Sequence, residues 1–207
     1  MKQFFFCSLA FLFSFHSNAQ TKPDNLKNYL QVSAGRSSNG TGDLRGIIFS
    51  TQYGKHFKKK LLWNVFFSGT IHDGSYPLKF TVGTREVDGS IRYTTGGLQL
   101  GGGIGYSILK KSSHEILAKA NCLFRYQSSS YPDYYQIDYP AGTGLPYPVI
   151  LYSHSTPQRT YTVGGEAQLQ YNYVIKEKWS IGIIGGVQTD TDGNTITQIS
   201  LAGGIKF

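Results

Sequence analysis

Alternation of apolar and polar residues with a period of two is the dominant pattern along this chain. Between positions 161 and 175 the odd-numbered residues are mostly apolar or aromatic, whereas most even-numbered residues are Thr, Gly, Glu, Gln or Asn. This alternation is typical of a β-strand with two chemically different faces. Similar segments occur near residues 30–34, 47–53, 63–71, 98–108, 116–126, 181–187 and 197–207. The pattern therefore predicts eight strands.

The composition of the two faces indicates what each face contacts. In a water-soluble antiparallel sheet the apolar face is the core, and the other face is charged and solvated. Here the second face consists mainly of Gly, Ser, Gln, Asn and Thr with few charges, and only 15% of all residues are charged. That composition suits a crowded polar lumen, with the apolar face toward lipid. We expect an all-β fold, an eight-stranded antiparallel transmembrane up-and-down β-barrel, because a closed barrel pairs every backbone amide.

The lengths of the connections predict the orientation of this barrel. Short connections are expected near residues 57–60, 110–113 and 176–178, and a tight turn at 189–194. Longer ones are expected at 36–44, 72–91 and 128–158. Outer-membrane barrels have short periplasmic turns and longer outer loops. This predicts a location in the outer membrane with both termini in the periplasm.

The first residues predict export. Lys2 precedes the apolar run FFFCSLAFLFSF, and small residues follow it. Residues 1–19 are therefore interpreted as a signal peptide and residues 20–207 as one barrel domain. A membrane-spanning helix is the poorer alternative, since the run is shorter than the roughly 20 residues that a bilayer requires. Cleavage leaves Cys122 as the single cysteine, so no internal disulfide is expected.

Positive charge suggests lipid phosphates as partners. The formal net charge is +8, and export argues against nucleic acid. Outer-membrane lipid and lipopolysaccharide are the expected partners. Basic residues also gather in the short turns, where they would grip lipid phosphates, dock a periplasmic protein or simply be solvated. They are Lys55, His56, Lys58, Lys59, Lys60, Lys110, Lys111, Lys176 and Lys178.

The last predicted strand carries a family resemblance. Ile199, Leu201, Ile205 and Phe207 alternate and end on an aromatic residue. In this respect the chain resembles the small eight-stranded outer-membrane β-barrel proteins of Bacteroidetes-type bacteria. The resemblance implies that these four residues form a signal for the barrel assembly machinery, a partner during insertion. It implies little about activity, because the fold carries several functions.

Four charged residues are expected to point into the lumen: Lys119, Arg125, Glu166 and Lys206. Arg125 or Lys119 is expected to lie across from Glu166. An eight-stranded barrel has just enough room for its own side chains, so these charges are interpreted as a plug. A narrow pore or carrier for a minor solute is the alternative.

The connection at 128–158 is rich in Tyr and Pro, and its tyrosines are candidates for recognition: Tyr131, Tyr134, Tyr135, Tyr139, Tyr147 and Tyr152. Tyrosine provides a large amphipathic contact area in binding loops. The equal alternative is that these residues pack the loop on itself as a cap.

Candidate chemistry is sparse. His72 with Asp73 and Ser75, or His154 beside Ser153 and Ser155, would fit lipid A modification, but neither set has the spacing of a catalytic triad. No cofactor, metal or catalytic residue is predicted. The glycines of LGGGIG are explained by a strand, and TDTDGNT by a hairpin turn. The sequence thus predicts a structural, adhesive or surface-recognition protein, with a pore or a component of an envelope or secretion assembly as alternatives.

Overall fold

A computed structural model describes residues 28–40, 44–77, 79–82, 84–111, 113–132, 134–153, 158–176 and 178–207. The predicted signal peptide and, from the disfavoured candidate group around His154, His154 and Ser155 lie outside these ranges. No helix within them is long and apolar enough to cross a bilayer.

Twelve strands and one short helix make up the described elements. In chain order they are β1 (Asn28–Asn39), β2 (Leu44–His56), β3 (Leu61–Tyr76), β4 (Lys79–Val82), β5 (Arg85–Asp88), β6 (Ile91–Lys111), β7 (His114–Ser129), β8 (Tyr134–Asp138), α1 (Pro140–Thr143), β9 (Val149–Ser153), β10 (Gln158–Ile175), β11 (Trp179–Asp190) and β12 (Thr195–Lys206). Eight of them close an antiparallel barrel in the order β1, β2, β3, β6, β7, β10, β11, β12. The prediction of an eight-stranded up-and-down barrel is confirmed.

Two small hairpins extend from the same end of the barrel. β4 pairs with β5 in the connection between β3 and β6, and β8 pairs with β9 in the connection between β7 and β10. The predicted long connection at 36–44 is wrong, because β1 continues to Asn39 and β2 begins at Leu44. Likewise, β3 runs to Tyr76 inside the predicted loop 72–91. Polar residues replace the apolar face at these strand ends while the backbone pairing continues, so the pattern of hydrophobicity ends before the strand does.

The two faces of the barrel point as the alternation indicates. Large apolar side chains cover the outer wall, and Leu201 is 69% exposed there. Polar side chains fill the inside together with several apolar ones such as Leu62, Phe66 and Ile184. Gly103 also faces inward, where an added Cβ would lie 2.0 Å from the carbonyl oxygen of Ala120. Within the LGGGIG segment of β6, Gly103 therefore permits the close approach of the neighbouring strand β7.

Hydrogen bonds join β1 to the end of the chain and also hold the turn before β12. The amide nitrogen of Asn28 donates to the carbonyl oxygen of Phe207 over 2.7 Å, and the reverse bond measures 2.9 Å. At the other end, the Asp190 carboxylate accepts from the backbone amides of Asp192 and Asn194, each over 3.1 Å. Gly193 in this turn has a φ of 80°, which favours glycine. The predicted turn at 189–194 is confirmed.

Candidate functional site

The lumen contains the predicted charged residues. Lys119, Arg125 and Glu166 are buried, with Arg125 fully so, and Lys206 is partly buried. They lie on β7, β10 and β12 and are separated along the barrel axis, so they form several layers of contacts.

Lys119 lies at the centre of a layer of amides. Its Nζ donates to Oε1 of Gln52 over 2.6 Å and to Oε1 of Gln170. Nε2 of Gln170 in turn donates to Gln31 over 3.0 Å. The Lys119 ammonium also lies 5.5 Å from the centre of the Tyr29 ring. These contacts connect four strands across the lumen and supply acceptors for a buried cation.

Glu166 occupies a second layer. Its carboxylate accepts from Asn121 Nδ2 over 2.9 Å and from Gln198 Nε2 over 2.8 Å. Asn121 is also the residue directly opposite Glu166 on β7. The expected position of Arg125 or Lys119 across from Glu166 is therefore wrong, because those two residues lie opposite Thr162 and Gln168. Amides rather than cations hold this carboxylate.

Lys206 pairs with a carboxylate that the sequence reading missed. Its Nζ lies 2.6 Å from Oε2 of Glu115, and Nε2 of His56 lies 3.7 Å from the other oxygen of that carboxylate. Glu115 follows the short turn into β7 and faces inward. This third layer closes the lumen at the end where the chain termini of the barrel meet.

Arg125 and Asp190 form the layer nearest the hairpins. Nη1 of Arg125 lies 3.5 Å from Oδ2 of Asp190, and both side chains are buried. Nearby on the same level of the barrel, Nε2 of His72 is hydrogen-bonded to Oγ of Ser37 over 2.8 Å. The candidate group of His72, Asp73 and Ser75, which the spacing disfavours, is not assembled, since His72 points inward while Asp73 and Ser75 lie exposed on the outer wall.

Glu115, Asp190 and Ser37 could have been found from the sequence. Each continues the inward-facing alternation of its strand to a position near the strand end. The apolar signal stops earlier, and these residues then read as parts of turns. Extending the period of two beyond the last apolar residue is the signal that identifies them.

Little free space remains beside Glu166. A cavity beside Glu166, lined by Ile48, Phe66, Gln168 and their neighbours, has a volume of about 10 Å³. That is room for about one water molecule. Among the described residues, no group of three His, Cys, Asp or Glu side chains has the arrangement of a metal site.

The predicted tyrosines separate into different environments. Tyr139 and Tyr147 are exposed near α1, together with Leu145, and we call these three residues the outer tip. Tyr134 is exposed too, but its hydroxyl donates to Gln136 along β8. Tyr131 packs edge-on against Tyr93 at the barrel rim, with ring centres 5.0 Å apart. The side chains of Tyr135 and Tyr152 lie outside the described part of the chain.

The β4–β5 hairpin differs from the outer tip in chemistry. Lys79 and Glu86 form an exposed ion pair of 3.7 Å. The Ser90 hydroxyl and amide both donate to Asp88, and these hydrogen bonds lower the pKa of the Asp88 carboxyl. This hairpin presents charge, whereas the outer tip presents aromatic and apolar surface.

The remaining predicted residues lie on the outer wall and at the rim. Ile199, Leu201 and Phe207 are exposed, and Ile205 is half-buried on the same outer face of the sheet. At the end with short turns, the described lysines are exposed: Lys55, Lys58, Lys59, Lys60, Lys110, Lys111, Lys176 and Lys178. His56 instead points inward to Glu115, as described above.

No family model and no curated protein matches this chain. Solved structures do match it. Neisserial surface protein A is 10% identical with a TM-score of 0.57, covering 87% of this chain and 97% of that one. Ail, the attachment invasion locus protein of Yersinia pestis, is 10% identical with a TM-score of 0.50, covering 88% and 99%. Ail in complex with the heparin analogue sucrose octasulfate gives 11% identity, a TM-score of 0.50 and the same coverage.

At this level of identity the similarity shows the fold. The chain is thus an eight-stranded antiparallel barrel of the transmembrane, outer-membrane type.

Proposed function

We propose that this chain is a non-enzymatic outer-membrane protein that recognises a partner at the cell surface through its outer tip. In this proposal the short turns and both termini lie in the periplasm, and the hairpins project outward. The observation that supports this proposal is a difference between the two candidate sites. In the lumen, the cavity beside Glu166 has a volume of only about 10 Å³. At the outer tip, the side chain of Tyr139 is 64% exposed and therefore accessible to a partner. A filled lumen disfavours a pore, so recognition at the surface becomes the leading function.

The chemistry of the outer tip favours a protein partner with apolar surface. Tyr139, Leu145 and Tyr147 combine aromatic and aliphatic contact area, which is typical of the centre of protein interfaces. Residues 128–158 contain no Lys or Arg. Sucrose octasulfate, the ligand seen with Ail, is polyanionic and would need basic residues, so we do not extend that ligand to this hairpin.

Other partners follow from the location proposed. In this proposal, outer-membrane lipid and lipopolysaccharide surround the outer wall. The assembly machinery is a partner during insertion of the barrel. The proposal includes no nucleic acid and no cofactor. The exposed lysines of the short turns favour a second candidate function, docking of a periplasmic protein as part of an envelope assembly. The residue pattern of the terminal strand suggests a Bacteroidetes-type origin, and this origin stays a prediction.

Site-specific photocrosslinking on intact cells tests the surface proposal. A photoreactive phenylalanine analogue replaces Tyr147 at the outer tip, Glu86 on the β4–β5 hairpin or Leu201 on the outer wall. We expect a discrete protein adduct from position 147 that disappears in the Tyr139→Ser and Leu145→Ser variants, and no such adduct from positions 86 or 201. Identical adduct patterns from all three positions, or none from position 147, would contradict recognition by the outer tip.

A further inference from the structure

The outer wall has a clear boundary between apolar and polar residues at the end that carries the hairpins. On each barrel strand except β1, the outward face becomes polar where its apolar residues end. Strand pairing joins these positions from β12 through β1, β2 and β3 to β6. For example, Arg45 lies opposite Ser38 and Asp73, and Asp73 lies opposite Thr94. The outward residues just beyond the apolar faces are Arg45, Asp73, Thr94, Ser128, Arg159, Thr189 and Thr197. These positions are the expected boundary between the hydrocarbon region and the headgroups.

Arg36 lies on the apolar side of this boundary. It is exposed on the outer face of β1, opposite Ile47 of β2 and Ile199 of β12. Both isoleucines are exposed members of the apolar band. Within the described residues, no carboxylate forms an ion pair with Arg36. A cation in this position on a lipid-facing wall is destabilising unless it has an anionic partner or reaches water.

An apolar groove of about 590 Å³ begins directly below Arg36. Its floor is Ala34, which lies between the larger Phe49 and Leu201 on the two neighbouring strands. Phe49 leans away from this floor, since its ring covers Gly69 on β3. The groove therefore exists because a small residue stands between two large ones, and its outward opening admits a hydrocarbon chain.

A more polar depression continues above the groove. It has a volume of about 280 Å³ and is lined by the outward residues Arg36, Ser38 and Thr197 among others. Arg45 lies directly opposite Ser38 at this level. Apolar groove, arginine and polar depression thus follow one another along the seam of β1, β2 and β12, as the acyl chains and the phosphorylated sugars do in lipid A.

We propose that this seam binds the lipid A part of lipopolysaccharide, with one acyl chain over Ala34 and a lipid A phosphate held by Arg36 and Arg45. The guanidinium group donates paired hydrogen bonds that match phosphate oxygens, and the phosphate neutralises the arginine at a depth where water is scarce. Hydroxyl groups of Ser38 and Thr197 face the sugar. The inference shares only the orientation of the barrel with the surface-recognition proposal and does not need the outer tip.

Binding of purified lipid A to the full-length mature protein in phosphatidylcholine nanodiscs tests this site, with the lipid-bound fraction read by native mass spectrometry. We expect Arg36→Gln and Ala34→Leu each to weaken binding of bisphosphorylated lipid A by about tenfold. Arg159→Gln, an outward arginine on the far side of the barrel, serves as the matched control and is expected to change binding less than about twofold. Arg36→Lys should bind more tightly than Arg36→Gln because it keeps the charge.

A comparison of lipids provides a second test of the proposed site, and this test uses the unmodified protein. Dephosphorylated lipid A should bind the unmodified protein about tenfold more weakly than the bisphosphorylated form. Equal binding of the two forms, or equal effects of Arg36→Gln and Arg159→Gln, would mean that Arg36 merely reaches water and would overturn the proposal. Phosphatidylglycerol that displaces lipid A at equal concentration would also overturn it, because the site would then select any anionic lipid. Deleting the outer tip should leave these results unchanged.

Discussion

Asp190 contacts both Arg125 and the turn between β11 and β12. Oδ2 of Asp190 lies 3.5 Å from the Arg125 guanidinium, while Oδ1 accepts from the backbone amides of Asp192 and Asn194. One carboxylate therefore connects the turn between β11 and β12 to β7, which is not adjacent to either strand. The Arg125 layer of the lumen and the conformation of the rim that carries the hairpins therefore depend on the same side chain.

Asp190→Ala is expected to destabilise the folded barrel by about 3–5 kcal/mol, because it leaves a fully buried guanidinium without its carboxylate. The free energy of unfolding in urea, measured for protein folded in lipid vesicles, checks this. Glu86→Ala, which breaks the exposed pair with Lys79, is the control and should cost less than about 1 kcal/mol. The double variant Asp190→Leu/Arg125→Met should be more stable than Asp190→Ala. Equal costs for Asp190→Ala and Glu86→Ala would refute a structural role for this pair.

Leu201 tests which face contacts lipid. It is 69% exposed near the middle of the outer face of β12, so Leu201→Arg should destabilise the barrel in a bilayer by about 2–4 kcal/mol. Leu145→Arg at the outer tip should leave unfolding in the same vesicles nearly unchanged. A tolerated arginine at position 201 would show that the outer wall is solvated by water.

Substitution of Gly103 tests the close approach of β6 and β7. An added Cβ would meet the Ala120 carbonyl oxygen at 2.0 Å, so the two strands must move apart in Gly103→Ala. We expect a loss of about 3 kcal/mol or failure to fold, as for other overpacked interiors. Gly185→Ala is the matched control, since a Cβ there meets nothing within 4 Å, and it should change stability by less than about 0.5 kcal/mol. The measurement is the change of electrophoretic mobility on heating, followed by urea unfolding.

The sequence predicts the barrel well because outward residues such as Leu201 and inward residues such as Ser200 alternate with the period of a strand. The sequence predicts poorly where each strand ends and therefore how deep a residue near a strand end lies in the bilayer. The pattern predicts that a loop begins at Arg36, because a charged residue normally ends an apolar strand face, yet β1 continues to Asn39. The partners of inward charges were also missed, since β7 and β11 contact one another across the lumen and not along a strand pair. Such contacts depend on closure of the barrel, which local alternation does not encode.

Substitution of Phe207 separates a role in assembly from a role in the stability of the folded barrel. Its backbone forms the two hydrogen bonds with Asn28, and Phe207→Ala keeps them while removing the exposed ring. We expect less inserted protein in cells, but an unfolding free energy within about 1 kcal/mol of the original once the barrel has inserted. Phe124→Ala, which removes an exposed ring on β7, is the control for loss of aromatic area. If both variants insert equally well, position 207 carries no assembly signal.

Conductance measurement in planar lipid bilayers tests most directly whether the barrel acts at its surface or as a pore. Layers of polar contacts around Lys119, Glu166 and Glu115 cross the lumen, so the reconstituted protein should give no current steps above those of a protein-free bilayer. A steady, ohmic channel at neutral pH, present in every preparation of folded protein and absent from heat-unfolded samples, would contradict the account.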